Sequence, residues 1–155
     1  MEANDVPYPS YAAILATFVG GLTAAATIAR ALGREPRELD ALDLVTLSAA
    51  TFKASRTITH DKVASFLREP FVEGAAYDGD EVPAGEGMKR AIGELVTCTR
   101  CVGTWVAAGL GSTQIIAPRF GRVLTWTLAA AAASDFLQTA FVALNRKSEE
   151  LSEHV

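Results

Sequence analysis

The chain has 155 residues, the length of one ordinary domain; half of them are hydrophobic, while only 21% are charged and 8% aromatic. That composition excludes a disordered tail and a disulfide scaffold. A net charge of −4 argues against a nucleic-acid partner.

The first element is predicted over residues 8–30. Val6 to Ala29 runs 24 residues without a charge, and the hydrocarbon core of a bilayer needs about 20 predominantly apolar helical residues. Glu2 and Asp5 precede the run instead of Lys or Arg. A secretory signal wants a basic leader and a shorter apolar stretch, so the segment is expected to be retained. The second element is predicted over residues 40–59, where Ala41 to Thr59 reads ALDLVTLSAATFKASRTIT. At helical spacing Thr46, Ala49, Ala50, Lys53, Arg56, Thr57 and His60 fall along one face. Hydropathy leaves two readings open: an interfacial amphipathic helix, or a span whose polar stripe faces the bundle.

A polar region, residues 60–100, follows. Pro70 is expected to end any helix at or before Glu69. Gly74 to Gly87, rich in glycine and acid, reads as a loop. Its Asp78, Asp80 and Glu81 lack the calcium-loop spacing and read as solvated acids. Met88 to Thr97 reads as a short amphipathic helix with Met88, Ile92, Leu95 and Val96 on one side. Two more spans are predicted over residues 101–118 and 122–146, the latter interrupted by Asp135 alone between Val123 and Asn145. The charged tail from Arg146 is expected to fray. The expected fold is an all-α membrane protein of one domain, residues 1–155: a bundle of about four transmembrane helices with a polar cytoplasmic loop. The competing soluble, alanine-rich bundle is disfavoured because soluble helices normally carry a polar stripe.

Positive charge in short loops sets orientation. The polar region holds Lys62, Arg68, Lys89, Arg90 and Arg100, the tail Arg146 and Lys147, and the last turn only Arg119 and Arg122. The polar loop and tail are therefore expected in the cytoplasm. In the four-span arrangement the link with Arg30, Arg34 and Arg37 faces outward, which counts against it. The expected location is the bacterial inner membrane, crossed several times.

The run ATFKASRTITHDKVASFLREPF, then GMKRAIGELVTCTRCVGTWVA and AAASDFLQ, resembles the domain-of-unknown-function 1360 family of small bacterial membrane proteins. The resemblance covers roughly Leu44 to Gln138. It implies that residues 41–59 span the membrane and carries no established activity.

Asp135 sits about midway along its apolar segment, where an unpaired acid costs on the order of 2.5–3.5 kcal/mol. It is expected to pair with Lys53, with Arg56 secondary. A proton relay and a helix registry lock are the two readings, and the lock is preferred because no second acid is evident nearby. Cys98-Thr-Arg-Cys101 permits a redox dithiol or half of a metal site. With no other cysteine in the chain, zinc or iron would need a second copy or His60 or His154. Arg68, Pro70 and Phe71 read either as a dock for lipid headgroups or another protein, or as a helix stop followed by an apolar anchor. Glu94 reads as a surface carboxylate near Lys89 or Arg90, and Trp105 and Trp126 as interfacial anchors. No phosphate loop and no convincing nucleophile–base set is present. The expectation is a non-enzymatic accessory or structural subunit of a larger membrane assembly, surrounded by lipid and other subunits, with no predicted cofactor. The alternative is a thiol- or metal-dependent redox protein or sensor.

Overall fold

The computed structural model describes residues 6–36, 38–74 and 80–153. It is helical almost throughout. Four long helices, α1 (Tyr8–Ala31), α2 (Ala41–His60), α5 (Thr99–Ile116) and α6 (Pro118–Glu153), carry between α2 and α5 a polar insert with α3 (Ser65–Arg68), β1 (Val72–Glu73), β2 (Val82–Pro83) and α4 (Gly87–Thr97). Arg37, the acidic stretch around Asp78, and His154 lie outside the described residues.

Local signals place the helix ends. Pro9 falls in the first turn of α1, where its missing N–H costs nothing. Gly33, at φ 64°, ends the same helix, with Gly33 N–H donating to Arg30 O and Arg34 N–H to Ala29 O. Asp40 and Asp43 form a capping box at the start of α2, each carboxylate accepting from the other's backbone N–H at 2.7 and 3.2 Å. Pro118 opens α6, which continues unbroken for 36 residues, about 54 Å, through the tail expected to fray.

Cross-helix contacts fix the direction of each helix. Phe18 meets Trp105 edge-on at 5.1 Å, and Tyr11 hydrogen-bonds Glu94 close to the start of α5, so α1 and α5 run the same way. Phe52 stacks on Phe136 at 5.5 Å and Lys53 pairs with Asp135, while Leu42 and Thr46 share a cavity wall with Arg122 and Trp126. Thus α2 and α6 run parallel to each other and opposite to α1 and α5. One end of the bundle carries the start of α1, the polar insert and the Cys98–Thr99 elbow. The other carries the 32–40 link and the α5–α6 turn.

The packing is inverted relative to a water-soluble core. The buried hydrophobic residues are mostly alanines: Ala29, Ala50, Ala91 and Ala132 among the helices, with Val102 and Leu110 as the larger ones. The buried face of α2 is Thr46, Ala50, Ser55 and Thr59. Each of the three hydroxyls donates to the carbonyl four residues back, at 2.6–2.9 Å, so none needs water. Large apolar side chains point outward instead, among them Leu15, Val19, Leu44, Leu137, Phe141 and Leu144. Glycine permits close backbone approach at the α5–α6 turn, where a Cβ on Gly121 would lie 2.6 Å from Gln114 N.

Among the described residues, composition marks two helices, α1 and α6, as long and apolar enough to cross a membrane; in both, 6% of the apolar window is buried. Neither α2, with Asp43, Lys53 and Arg56, nor α5, rich in Gly, Ser and Thr, passes that test. Four spans therefore find support from composition in two helices only.

Candidate functional site

The charged side chains expected to pair do meet. Lys53 Nζ donates to Asp135 Oδ2 at 2.8 Å. A third member was not anticipated: Asp61 Oδ2 lies 4.0 Å from the same ammonium and accepts from Thr57 Oγ1 at 2.8 Å. Asp61 is eight residues after Lys53, two turns along the same face, and that spacing was the available signal. One lysine is thus shared by a carboxylate from α6 and the residue that follows α2. Arg56 is exposed and forms no ion pair among the described residues.

Arg68 is not where a docking residue would be. Its side chain is 1% exposed, and its guanidinium holds Glu81 in a two-pronged ion pair, Nε to Oε2 at 2.8 Å and Nη2 to Oε1 at 2.9 Å. Nη1 donates to Ile58 O at 2.6 Å and Asp61 O at 3.2 Å, satisfying carbonyls at the end of α2. The arginine therefore joins the end of α2 to the insert. Pro70 is exposed and Phe71 half-buried. Glu81, expected to be solvated, has a side chain only 9% exposed, because it is the counter-ion.

The hairpin and α4 close over this pair. Val72 pairs with Pro83 and Glu73 with Val82, and Ala84 N–H donates to Phe71 O at 2.9 Å. Gly93 lets α4 lie directly on the hairpin: a Cβ there would collide with Phe71 O and come within 3.0 Å of Pro83 Cβ. Glu94 accepts from Arg90 Nε at 3.1 Å, as its sequence neighbours suggest, and also from Tyr11 of α1. Tyr11 was missed because nothing in the local sequence links positions 83 residues apart.

Cys98 ends α4 and caps α5, its sulfur accepting from Cys101 N–H at 3.3 Å. Cys98 and Cys101 are joined as a disulfide, with Cα atoms 5.2 Å apart. Bonded to each other, the sulfurs offer no thiolate to a metal, and no group of three or more His, Cys, Asp or Glu side chains is gathered among the described residues. His60 lies against Thr59, which contacts Thr99 at 2.9 Å, beside the elbow but in no such group. Trp105 is half-buried against Phe18, and Trp126 is exposed.

Together these features describe a mostly helical protein in which two helices are able to cross a membrane and a compact polar insert is tied to one end of the bundle. The chain belongs to the family described as "Protein of unknown function (DUF1360)", whose pattern matches residues 46–141, so the resemblance carried by the motifs holds. It is similar to the UPF0713 protein YngL of Bacillus subtilis, 29% identical over 109 residues, covering 66% of this chain and 80% of the relative. It is also similar to the sporulation protein YjcA of Bacillus subtilis, 32% identical over 108 residues, covering 65% of this chain and 92% of that one. The matched region begins inside α2, so α1 lies outside it. No solved structure matches the chain.

Proposed function

We propose that the protein is an integral inner-membrane bundle of four spans, α1, α2, α5 and α6, acting as an accessory or structural subunit of a larger membrane assembly. The observation that carries this reading is the inverted packing: alanines and hydroxyl-bearing side chains between the helices, large apolar residues outside. In water, exposing Leu15, Leu44 and Leu137 together would sacrifice burial worth about 1.5–3 kcal/mol for each side chain. In lipid those side chains lose nothing, and helix association rests on close approach of small residues. The helices α2 and α5, too polar to insert alone, turn their Thr, Ser and Gly faces to each other: Gly103 sits against Ser55 and Thr51.

The polar insert, the start of α1 and the tail share one end of the bundle. Lys62, Lys89, Arg90, Arg100, Arg146 and Lys147 gather there, and this end faces the cytoplasm. Counting pairing positions along α2 and α6 puts His60 level with residue 142, so the rest of α6 stands clear of the bundle. It displays Leu144 and Leu151 to whatever lies beside it. A second polypeptide is the natural cover for that projecting helix. Native mass spectrometry of gently solubilised membranes tests the subunit role. A complex of fixed stoichiometry, lost on truncation after Asn145, is expected; a bare single chain unaffected by that truncation would contradict the role.

A further inference from the structure

We infer that the Cys98–Cys101 pair exchanges electrons with a membrane quinone seated in the groove between α1, α4 and α5. This goes beyond the subunit reading but rests on its claim that lipid surrounds the bundle. A cavity of about 440 Å³ opens there, within the size range of small-molecule sites. Its wall is apolar almost throughout, with Leu15, Phe18, Leu95 and Trp105 contributing, and Phe18 and Trp105 set edge-on at 5.1 Å and 68°. Cys101 stands in the same wall and is exposed. The remaining polar lining includes Tyr11 and Glu94, hydrogen-bonded to each other.

Three features select the occupant. The groove faces outward beside Leu15 on a helix able to cross the bilayer, so it fills from lipid. Aromatic edges suit a flat ring. A disulfide that reaches the wall through Cys101 can be used only by a ligand able to take up or release electrons, which an acyl chain is not. On the cytoplasmic side, moreover, a disulfide is ordinarily transient, and catalytic or sensing. The step balances. Two thiols lose two protons and two electrons as the S–S bond forms, and the two carbonyl oxygens of the quinone gain both to give the hydroquinone. Glu94 and Tyr11 are placed to pass a proton between water and the bound ring. A subunit built this way reports the redox state of the quinone pool through one bond at the α4–α5 elbow.

The full-length protein in lipid nanodiscs, reduced and freed of reductant under anaerobic conditions, tests the inference with a short-chain ubiquinone as probe. One hydroquinone per chain is expected by absorbance, matched by loss of two alkylatable thiols. Cys101→Ser abolishes both signals. Leu15→Trp, an exposed position that fills the groove, slows the reaction at least tenfold while leaving oxidation by water-soluble diamide unchanged. Equal quinone rates in Leu15→Trp and the parent, or no hydroquinone from a nanodisc-embedded parent whose thiols diamide does oxidise, overturns it. If the chain instead remains in solution without lipid or detergent, the membrane reading itself has failed, a separate result.

Discussion

Lys53 serves two acids, and that changes what a charge swap should do. Lys53→Ala leaves Asp135 with no cation at 2.8 Å and is expected to lower stability by up to about 2.5–3.5 kcal/mol, the cost of an acid within an apolar span. Reversing the pair, Lys53→Asp with Asp135→Lys, restores the link to α6 but places a carboxylate near Asp61. Membrane accumulation is therefore expected to recover in part, and to recover further when Asp61→Asn is added. No recovery in either combination would remove the pairing. At Arg68 the expected loss is larger. Arg68→Ala strands Glu81, whose side chain is 9% exposed, and two carbonyls at the end of α2, a change worth about 3–5 kcal/mol. Arg68→Lys rescues little, since an ammonium does not reproduce the two-pronged geometry. Thermal melting in detergent distinguishes these from a surface arginine such as Arg56, whose replacement is expected to be nearly silent.

At the scale of elements, Gly93 and Gly121 mark where backbones touch. Gly93→Ala is expected to drive α4 off the hairpin, at about 1–3 kcal/mol, and to expose the insert to protease. Gly109→Ala, with nothing within 4 Å, is the matched control and is expected to leave the cleavage pattern unchanged. Equal protease sensitivity in the two variants would show that α4 does not rest on the hairpin. Much of this level was legible in advance. The long uncharged runs and Pro70 announced the helices and the break, because helical hydropathy and the geometry of proline act on neighbouring residues. The partnership of Lys53 and Asp135 was legible because both charges are costly where they sit, leaving few ways to offset them. Arg68 with Glu81 was not, because a pair closed across a loop and a hairpin leaves no periodic trace. The apolar neighbours of Arg68 suggested an anchor, and only the fold shows that the guanidinium turns inward to the end of α2.

For the molecule as a whole, one distribution explains the rest. Alanines and hydroxyl residues fill the interior, large aliphatic and aromatic groups cover the outside, and the polar insert caps one end. Of the four long helices, α1 and α6 are long and apolar enough to cross a membrane and α2 and α5 are not; the proposed four-span arrangement then implies an order, in which the apolar pair commits to the bilayer and the polar-faced pair packs against it. Membrane fractionation of expressed protein under alkaline wash tests the central claim most directly. The chain is expected to stay in the membrane pellet and to be released only by detergent. Recovery as a monodisperse species in detergent-free buffer would contradict the account.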